Sequence, residues 1–323
     1  MELKGEKKYK AMRPWQGFLV IILAGIYLFV IAPMFLTKLG LLGSVVGELG
    51  FVLLPLAAAL LFRWDLGEIF AFHKPAVGPA VGVFLIYLGT NRIIVLLTVL
   101  IESVFPEKYT ELAGGTALGY YGIPVLVLTA VLAVSPAICE EVLFRGMFVN
   151  SLRPLKRKWA ILLISGVLFG LFHANPLQTL QLTLMGVVIG YLFLETGNLL
   201  YSCMFHFINN MYAVIVVAAY GGLYKYWVQT GELTEILGAT QTIALATIGG
   251  SMIAAAISPL LLYLGNFLLH RNTPGYRDTL FPKNRPGILI CLIAVSLGLF
   301  LFGVGLIFLD VVMETVRTMY MPV

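Results

Sequence analysis

Long apolar runs alternate with short polar connectors along almost the whole chain. Nine runs stand out, at 17–36, 45–62, 77–104, 123–148, 159–173, 177–194, 199–220, 243–269 and 287–309. A transmembrane helix needs about 20 mostly apolar residues, and the runs cluster around that length or exceed it. Runs five and six are separated only by Ala174, Asn175 and Pro176, which reads as a tight helical hairpin. The pattern therefore predicts an all-α, polytopic transmembrane helical bundle of eight to nine spans. It leaves no room for a soluble domain, so residues 1–323 are expected to form a single integral-membrane domain. Between the second and third runs, Trp64 to Lys74, with Leu66, Ile69, Phe70 and Phe72, reads as a short helix lying in the membrane interface. Glu48, Glu102 and Glu195 fall near run ends, where they are expected to reach water, and His73 and His270 read as interface residues.

Composition sharpens this. Of 323 residues, 60% are hydrophobic and 11% are charged, whereas ordinary soluble domains carry about 25% charged residues. With a mean hydropathy of +0.95, lipid is the solvent for most of the chain. A cytosolic globular enzyme, a secreted disulfide scaffold and a disordered chain are excluded. Cys139, Cys203 and Cys291 all lie inside runs and imply no disulfide framework. The first run is too long for a signal peptide and reads as a retained helix.

The basic residues collect in the connectors, so a pI near 9.0 speaks for membrane orientation, and no nucleic-acid partner is expected. With the N-terminus in the cytoplasm and nine alternating spans, fifteen Lys and Arg residues fall on the cytoplasmic side. These are Lys4, Lys7, Lys8, Lys10, Arg13, Arg63, Lys74, Arg153, Lys156, Arg157, Lys158, Arg271, Arg277, Lys283 and Arg285. Only Lys38, Lys108, Lys225 and Arg317 fall opposite, together with an aromatic belt of Tyr109, Tyr120, Tyr121, Tyr224 and Trp227. A multi-pass membrane protein with a cytoplasmic N-terminus follows.

An ionisable residue inside a span costs about 2.5–3.5 kcal/mol on insertion scales and is a functional hypothesis by default. Such residues concentrate in runs four, five and seven. Run four holds Glu140-Glu141-Val-Leu-Phe-Arg145. Glu141 and Arg145, four apart, share a helix face and can pair. Glu140, about 100° away around the axis, is left unpaired in a dry site, as general acid–base chemistry requires. Run five ends in Phe169-Gly-Leu-Phe-His173, and run seven carries His206-Phe-Ile-Asn-Asn210. At about 1.5 Å per residue, Glu140, His173 and His206 all reach the middle of the bilayer. Gly166/Gly170 and Gly186/Gly190 form GxxxG pairs that read as packing surfaces. Asn91 and Arg92 either line the same cavity or, for Arg92, snorkel to the interface. Ala137 and Phe144 are expected to border the cavity, with Leu128 facing lipid.

The three signatures, EExxxR, FxxxH and HxxxN in that order on successive helices, resemble the CPBP family of intramembrane proteases, the CAAX prenyl endopeptidase and bacteriocin-processing (Abi-type) enzymes. The resemblance spans a motif-bearing core at about 120–220, built from four to five helices. It implies that Glu140 and His173 activate a water, that His206 and Asn210 stabilise the oxyanion, and that Glu141 and Arg145 form a structural ion pair at the site. It also implies a peptide or lipidated protein as substrate, within membrane lipid. A divalent metal such as zinc, held by Glu140, His173 and His206, stays open. The absence of HExxH favours a site that requires no cofactor. The alternatives are a non-catalytic immunity or scaffold protein of the same fold and a proton-coupled transporter. The latter usually shows inverted repeats, and the sequence has none.

Overall fold

The computed structural model describes residues 9–230, 243–273, 276, 279–281 and 286–320. Lys4, Lys7, Lys8, Arg277, Lys283 and Arg285 of the orientation count, and the side chain of Tyr224, lie outside the described residues. Among the described residues the regular elements are helical and there is no strand. The long helices are α1 (Pro14–Leu39), α2 (Leu41–Phe62), α3 (Val77–Val104), α4 (Pro106–Gly119), α5 (Val125–Leu155), α6 (Lys158–Phe172), α7 (Thr179–Thr196), α8 (Leu199–Thr230), α9 (Leu245–His270) and α10 (Pro286–Tyr320). Eight of them are long and apolar enough to cross a bilayer. The fifth run becomes α6, whose 15 residues reach about 22 Å, short of the ~30 Å hydrocarbon core. Helix α4 lies outside every apolar run.

The chain divides into two compact units. One comprises Met1–Pro75 and Ile123–Val214, the other Ala76–Gly122 and Ile215–Val323. In the first, α5 is the central element. Every residue from 141 to 152 is buried, the polar Glu141, Arg145, Asn150 and Ser151 among them. Its backbone widens into π-helical geometry at Thr129–Val134 and again at Val142–Val149. The first widened turn lies just before Pro136, which has no N–H to give to a regular ladder. Such turns are rare and often fall at functional sites.

Small residues let the neighbours of α5 approach. A Cβ on Gly17 of α1 would sit 1.8 Å from Ser151 Oγ, and one on Gly146 would sit 2.1 Å from the Ile69 carbonyl. Gly166 and Gly186 bring α6 and α7 together, the Gly186 Cβ position lying 2.9 Å from the Gly166 Cα. The GxxxG pairs are thus the α6–α7 contact.

The 64–74 segment differs from its expected form. Only Leu66–Ile69 makes a helical turn; Trp64 and Ile69 are buried in protein, while Leu66 and Phe72 are exposed. The rest is a strap tied down by hydrogen bonds. Asn150 Nδ2 donates to the Glu68 carbonyl at 2.7 Å. The Asn198 side chain both accepts from the His73 N–H at 3.0 Å and donates to the His73 carbonyl at 2.9 Å. Leu199 N–H donates to the Ala71 carbonyl at 2.9 Å. Backbone polar groups that irregular structure leaves open must find partners away from water, and Asn150 and Asn198 supply them.

In the second unit α3 packs on α9 and α9 on α10, each time through facing glycines. The Cβ positions of Gly82 and Gly265 lie 2.6 and 2.8 Å from each other's carbonyl oxygens, and those of Gly249 and Gly303 lie 2.5 and 2.6 Å away. Helix α9 is interrupted between Ala255 and Ser258, ahead of Pro259. Asp310 of α10 accepts from the Leu245 N–H at 3.1 Å and so caps the start of α9. Asn91 and Arg92 lie in this unit on α3, and Arg92 is exposed.

Candidate active site

The site is built on α5 where its α-helical turn Ser135–Glu141 passes into the widened turn that follows. Glu141 and Arg145 are fully buried and paired, Arg145 Nη1 donating to Glu141 Oε1 at 3.0 Å. Nη2 donates to the Gly186 carbonyl of α7 at 2.9 Å. The guanidinium also lies over the Phe169 ring, 4.6 Å from its centroid, and near Phe144 at 5.8 Å. Cation–π contacts of this kind are worth about 2 kcal/mol when desolvated.

Glu141 has a second partner. His206 Nδ1 lies 2.9 Å from the same Oε1, and the ring is buried. An ionised carboxylate only accepts, so Nδ1 carries a proton and donates to it. Glu141 thus joins α5 to α8 as well as to Arg145. The Phe169 ring stands edge-on to His206 at 5.7 Å and tilted against His173 at 5.0 Å.

His173 caps the end of α6 and is exposed. Its Nδ1 lies 2.9 Å from the Phe169 carbonyl one turn back. A carbonyl accepts only, so the proton sits on Nδ1 and Nε2 is the nitrogen left to accept. Asn210, one turn beyond His206, accepts from Asn209 Nδ2 at 3.3 Å, which leaves its own Nδ2 to donate.

Glu140 stands apart. It is half-buried, it makes no hydrogen bond or ion pair among the described residues, and its Oε2 is buried without a partner. A buried, unpartnered acceptor is costly, and functional sites are where such costs are tolerated.

The structure therefore links Glu141, Arg145 and His206 directly, sets both His173 and His206 against the Phe169 ring, and leaves Glu140 without a hydrogen bond or ion pair among the described residues. Among the described residues no group of three or more His, Cys, Asp and Glu side chains is gathered to hold a metal ion. Glu140, His173 and His206, the donors a zinc ion would take, form no such group. Phe144 and Leu128 are each 1% exposed, so Phe144 meets no open cavity and Leu128 does not face lipid as expected; Ala137, 2% exposed, lines an apolar groove of about 220 Å³ with Ile138, Cys203 and Phe207.

Sequence reasoning missed two features. The Glu141–His206 bond joins residues 65 apart, a pairing that only helix packing creates. Glu48 was expected to reach water, but helix α2 begins at Leu41 and packs on α5. Glu48 Oε2 is buried with no hydrogen-bond partner.

Fold and site together define a polytopic helical membrane protein with a buried Glu141–Arg145–His206 network in its helical interior. Residues 122–212 match the family model described as type II CAAX prenyl endopeptidase Rce1-like. The motif-bearing core is thus an Rce1-like segment, consistent with the CPBP family, and the matched family is one of proteases. No curated protein and no solved structure gives a significant match.

Proposed function

We propose that the chain is a membrane-embedded endopeptidase that hydrolyses a peptide bond near or within the bilayer, of CAAX or peptide-processing type. The observation that carries this reading is Glu140, an unpartnered carboxylate beside the buried Glu141–Arg145–His206 network, inside the segment matched by the protease family model.

In this reading Glu140 and His173 hold a water, with His173 Nε2 as acceptor because Nδ1 is committed to the Phe169 carbonyl. Glu140 takes the water proton as hydroxide adds to the scissile carbonyl, and returns it to the leaving amine as the C–N bond breaks. The oxyanion is met by Asn210 Nδ2 and by His206. Since His206 Nδ1 is engaged by Glu141, its Nε2 donates only when the ring is doubly protonated, whereas the amide of Asn210 donates in either state. Glu141 and Arg145 set the position of His206 rather than touching substrate.

The distribution of Lys and Arg supports a cytoplasmic N-terminus. The cluster Arg153, Lys156, Arg157 and Lys158 at the end of α5 supports entry of a peptide or lipidated protein from that side, through surrounding membrane lipid. The test uses purified full-length protein in liposomes, with a farnesylated CAAX peptide and the same peptide unprenylated, with and without a chelator. Cleavage by wild type and its loss in Glu140→Gln are expected. Cleavage retained by Glu140→Gln would overturn the assignment, and loss with the chelator would favour the metal alternative.

A further inference from the structure

Segments far apart in sequence meet at one end of the first unit, and each brings cations. Lys10 N–H donates to the Arg63 carbonyl at 2.8 Å, which joins the chain ahead of α1 to the end of α2. Trp15, at the start of α1, stands edge-on to Phe62 with ring centroids 5.8 Å apart. Gly17 of α1 abuts Ser151 of α5, and α1 packs on the Arg153–Leu155 turn that follows. The Arg153 guanidinium in turn lies 5.9 Å from the centroid of Phe193 on α7. Lys10, Arg13, Arg63, Arg153, Lys156 and Arg157 thus share this end, and all are exposed.

These cations are not matched by acids. Among the described residues no carboxylate lies within ion-pair distance of any of them. Of the acids nearby, Glu195 is paired with Lys158, and Asp65 accepts from the Gly67 N–H at 2.8 Å. Glu68 is exposed and pairs with none of them. Two of the cations also hold backbone that suits glycine. Arg63 has φ +59° and ψ +47°, and Lys156 has φ +55° and ψ +12°, both left-handed. A residue with a Cβ is disfavoured there. Both turns keep a long charged side chain where glycine would fit more easily, an arrangement that packing does not require of an exposed residue.

The level in the membrane follows from the neighbours. Trp15 and Trp159, each second in its helix, are 56% and 65% exposed. Exposed tryptophans at span ends belong among lipid headgroups. Unpaired cations at that level meet phosphates, and each Lys or Arg near an anionic leaflet strengthens the attraction about fivefold.

We propose that this end of the first unit is a binding site for the headgroup of an anionic phospholipid. The phosphate is received by the Arg153–Arg157 turn together with Arg13 and Arg63. Arginine's planar fork matches phosphate oxygens, and lysine adds a point charge. A bound headgroup ties the starts of α1 and α6 to the ends of α2 and α5, and so braces the helix that carries Glu140 and Glu141. The site stands whether or not the chain cleaves peptides.

The test uses full-length protein in nanodiscs of phosphatidylcholine, with and without phosphatidylglycerol. It reads lipid retention by native mass spectrometry, and thermal unfolding. Wild type should retain phosphatidylglycerol in preference to phosphatidylcholine and melt higher when it is present. Arg153→Gln/Lys156→Gln/Arg157→Gln should lower that preference by roughly 100-fold and abolish the rise in melting temperature. Its melting in phosphatidylcholine alone should match wild type. Lys108→Gln/Lys225→Gln/Arg317→Gln removes the same charge from the second unit and should leave both readouts unchanged. Equal losses in the two triple variants would mark a response to net charge alone and overturn the site. Undiminished retention in the first variant overturns it too, as does a rise in wild-type melting temperature caused by inorganic phosphate without phosphatidylglycerol. Lys156→Gly separates charge from structure, because it relaxes the left-handed turn. It should melt no lower than wild type in phosphatidylcholine, yet retain about fivefold less phosphatidylglycerol. A lower melting temperature in phosphatidylcholine with retention unchanged would mark the turn as merely structural and overturn the proposal.

Discussion

Helices α5 and α10 are similar in length, 31 and 35 residues, yet 39% of the most apolar stretch of α5 is buried within the chain against 6% for α10. The more hydrophobic of the two, α10, is the one that protein covers least. Lipid tails are as apolar as leucine, so burying apolar side chains against other helices gains little in a bilayer. What draws a helix inward is close backbone approach and polar pairing. Helix α5 has both, in Gly146, Glu141, Arg145 and Asn150. Helix α10 has one buried residue among those described, Gly303, at its crossing with α9.

The largest effects should come from the polar groups of the buried helix and its partners. Glu140→Gln and His173→Ala are expected to lower peptide cleavage by about 100-fold or more. Glu140 has no partner to lose, so the melting curve of Glu140→Gln in detergent should stay within about 0.5 kcal/mol of wild type. Next comes the ion pair. Arg145→Met alone leaves Glu141 buried and uncompensated, with an expected cost of about 3–5 kcal/mol in thermal unfolding. The double variant Glu141→Gln/Arg145→Met should recover part of that, and strict additivity would mean the pair contributes nothing as a pair.

Smaller effects are expected on α10. Gly303→Ala pushes a methyl group towards the Gly249 carbonyl and should cost about 1–3 kcal/mol. Phe302, its neighbour, is 61% exposed, and Phe302→Ala should change stability by less than about 0.5 kcal/mol. A large loss at Phe302 would show that α10 is covered by something other than lipid, and the contrast between the helices would lapse.

How far the sequence could be read follows the same division. The third run coincides with α3 at both ends, because hydropathy measures the stretch that lipid must cover. It gives no account of where a helix continues past the lipid. Helix α8 runs to Thr230 and α10 to Tyr320, ten and eleven residues beyond their apolar runs. The Glu141–Arg145 pair was legible because four residues on one helix fix a shared face. The GxxxG contacts were legible for the same local reason. Glu141 with His206 was not, since it joins separate helices whose rotation the sequence does not print. Glu48 was misplaced because its nearness to a run end suggested water, where packing of α2 on α5 decided otherwise.

The double hydrogen bond between Asn198 and the His73 backbone has a consequence for biogenesis. Its partners are 125 residues apart, so the strap cannot be fastened while α2 is the newest helix in the membrane. At synthesis rates of about 5–20 residues per second, the interval before Asn198 emerges is roughly 6–25 s. During that time the His73 amide and carbonyl have only water or lipid headgroups to bond to. The first unit is therefore assembled in two episodes: an early insertion of α1 and α2, and a late closure when the start of α8 arrives to pin the loop that α2 left behind.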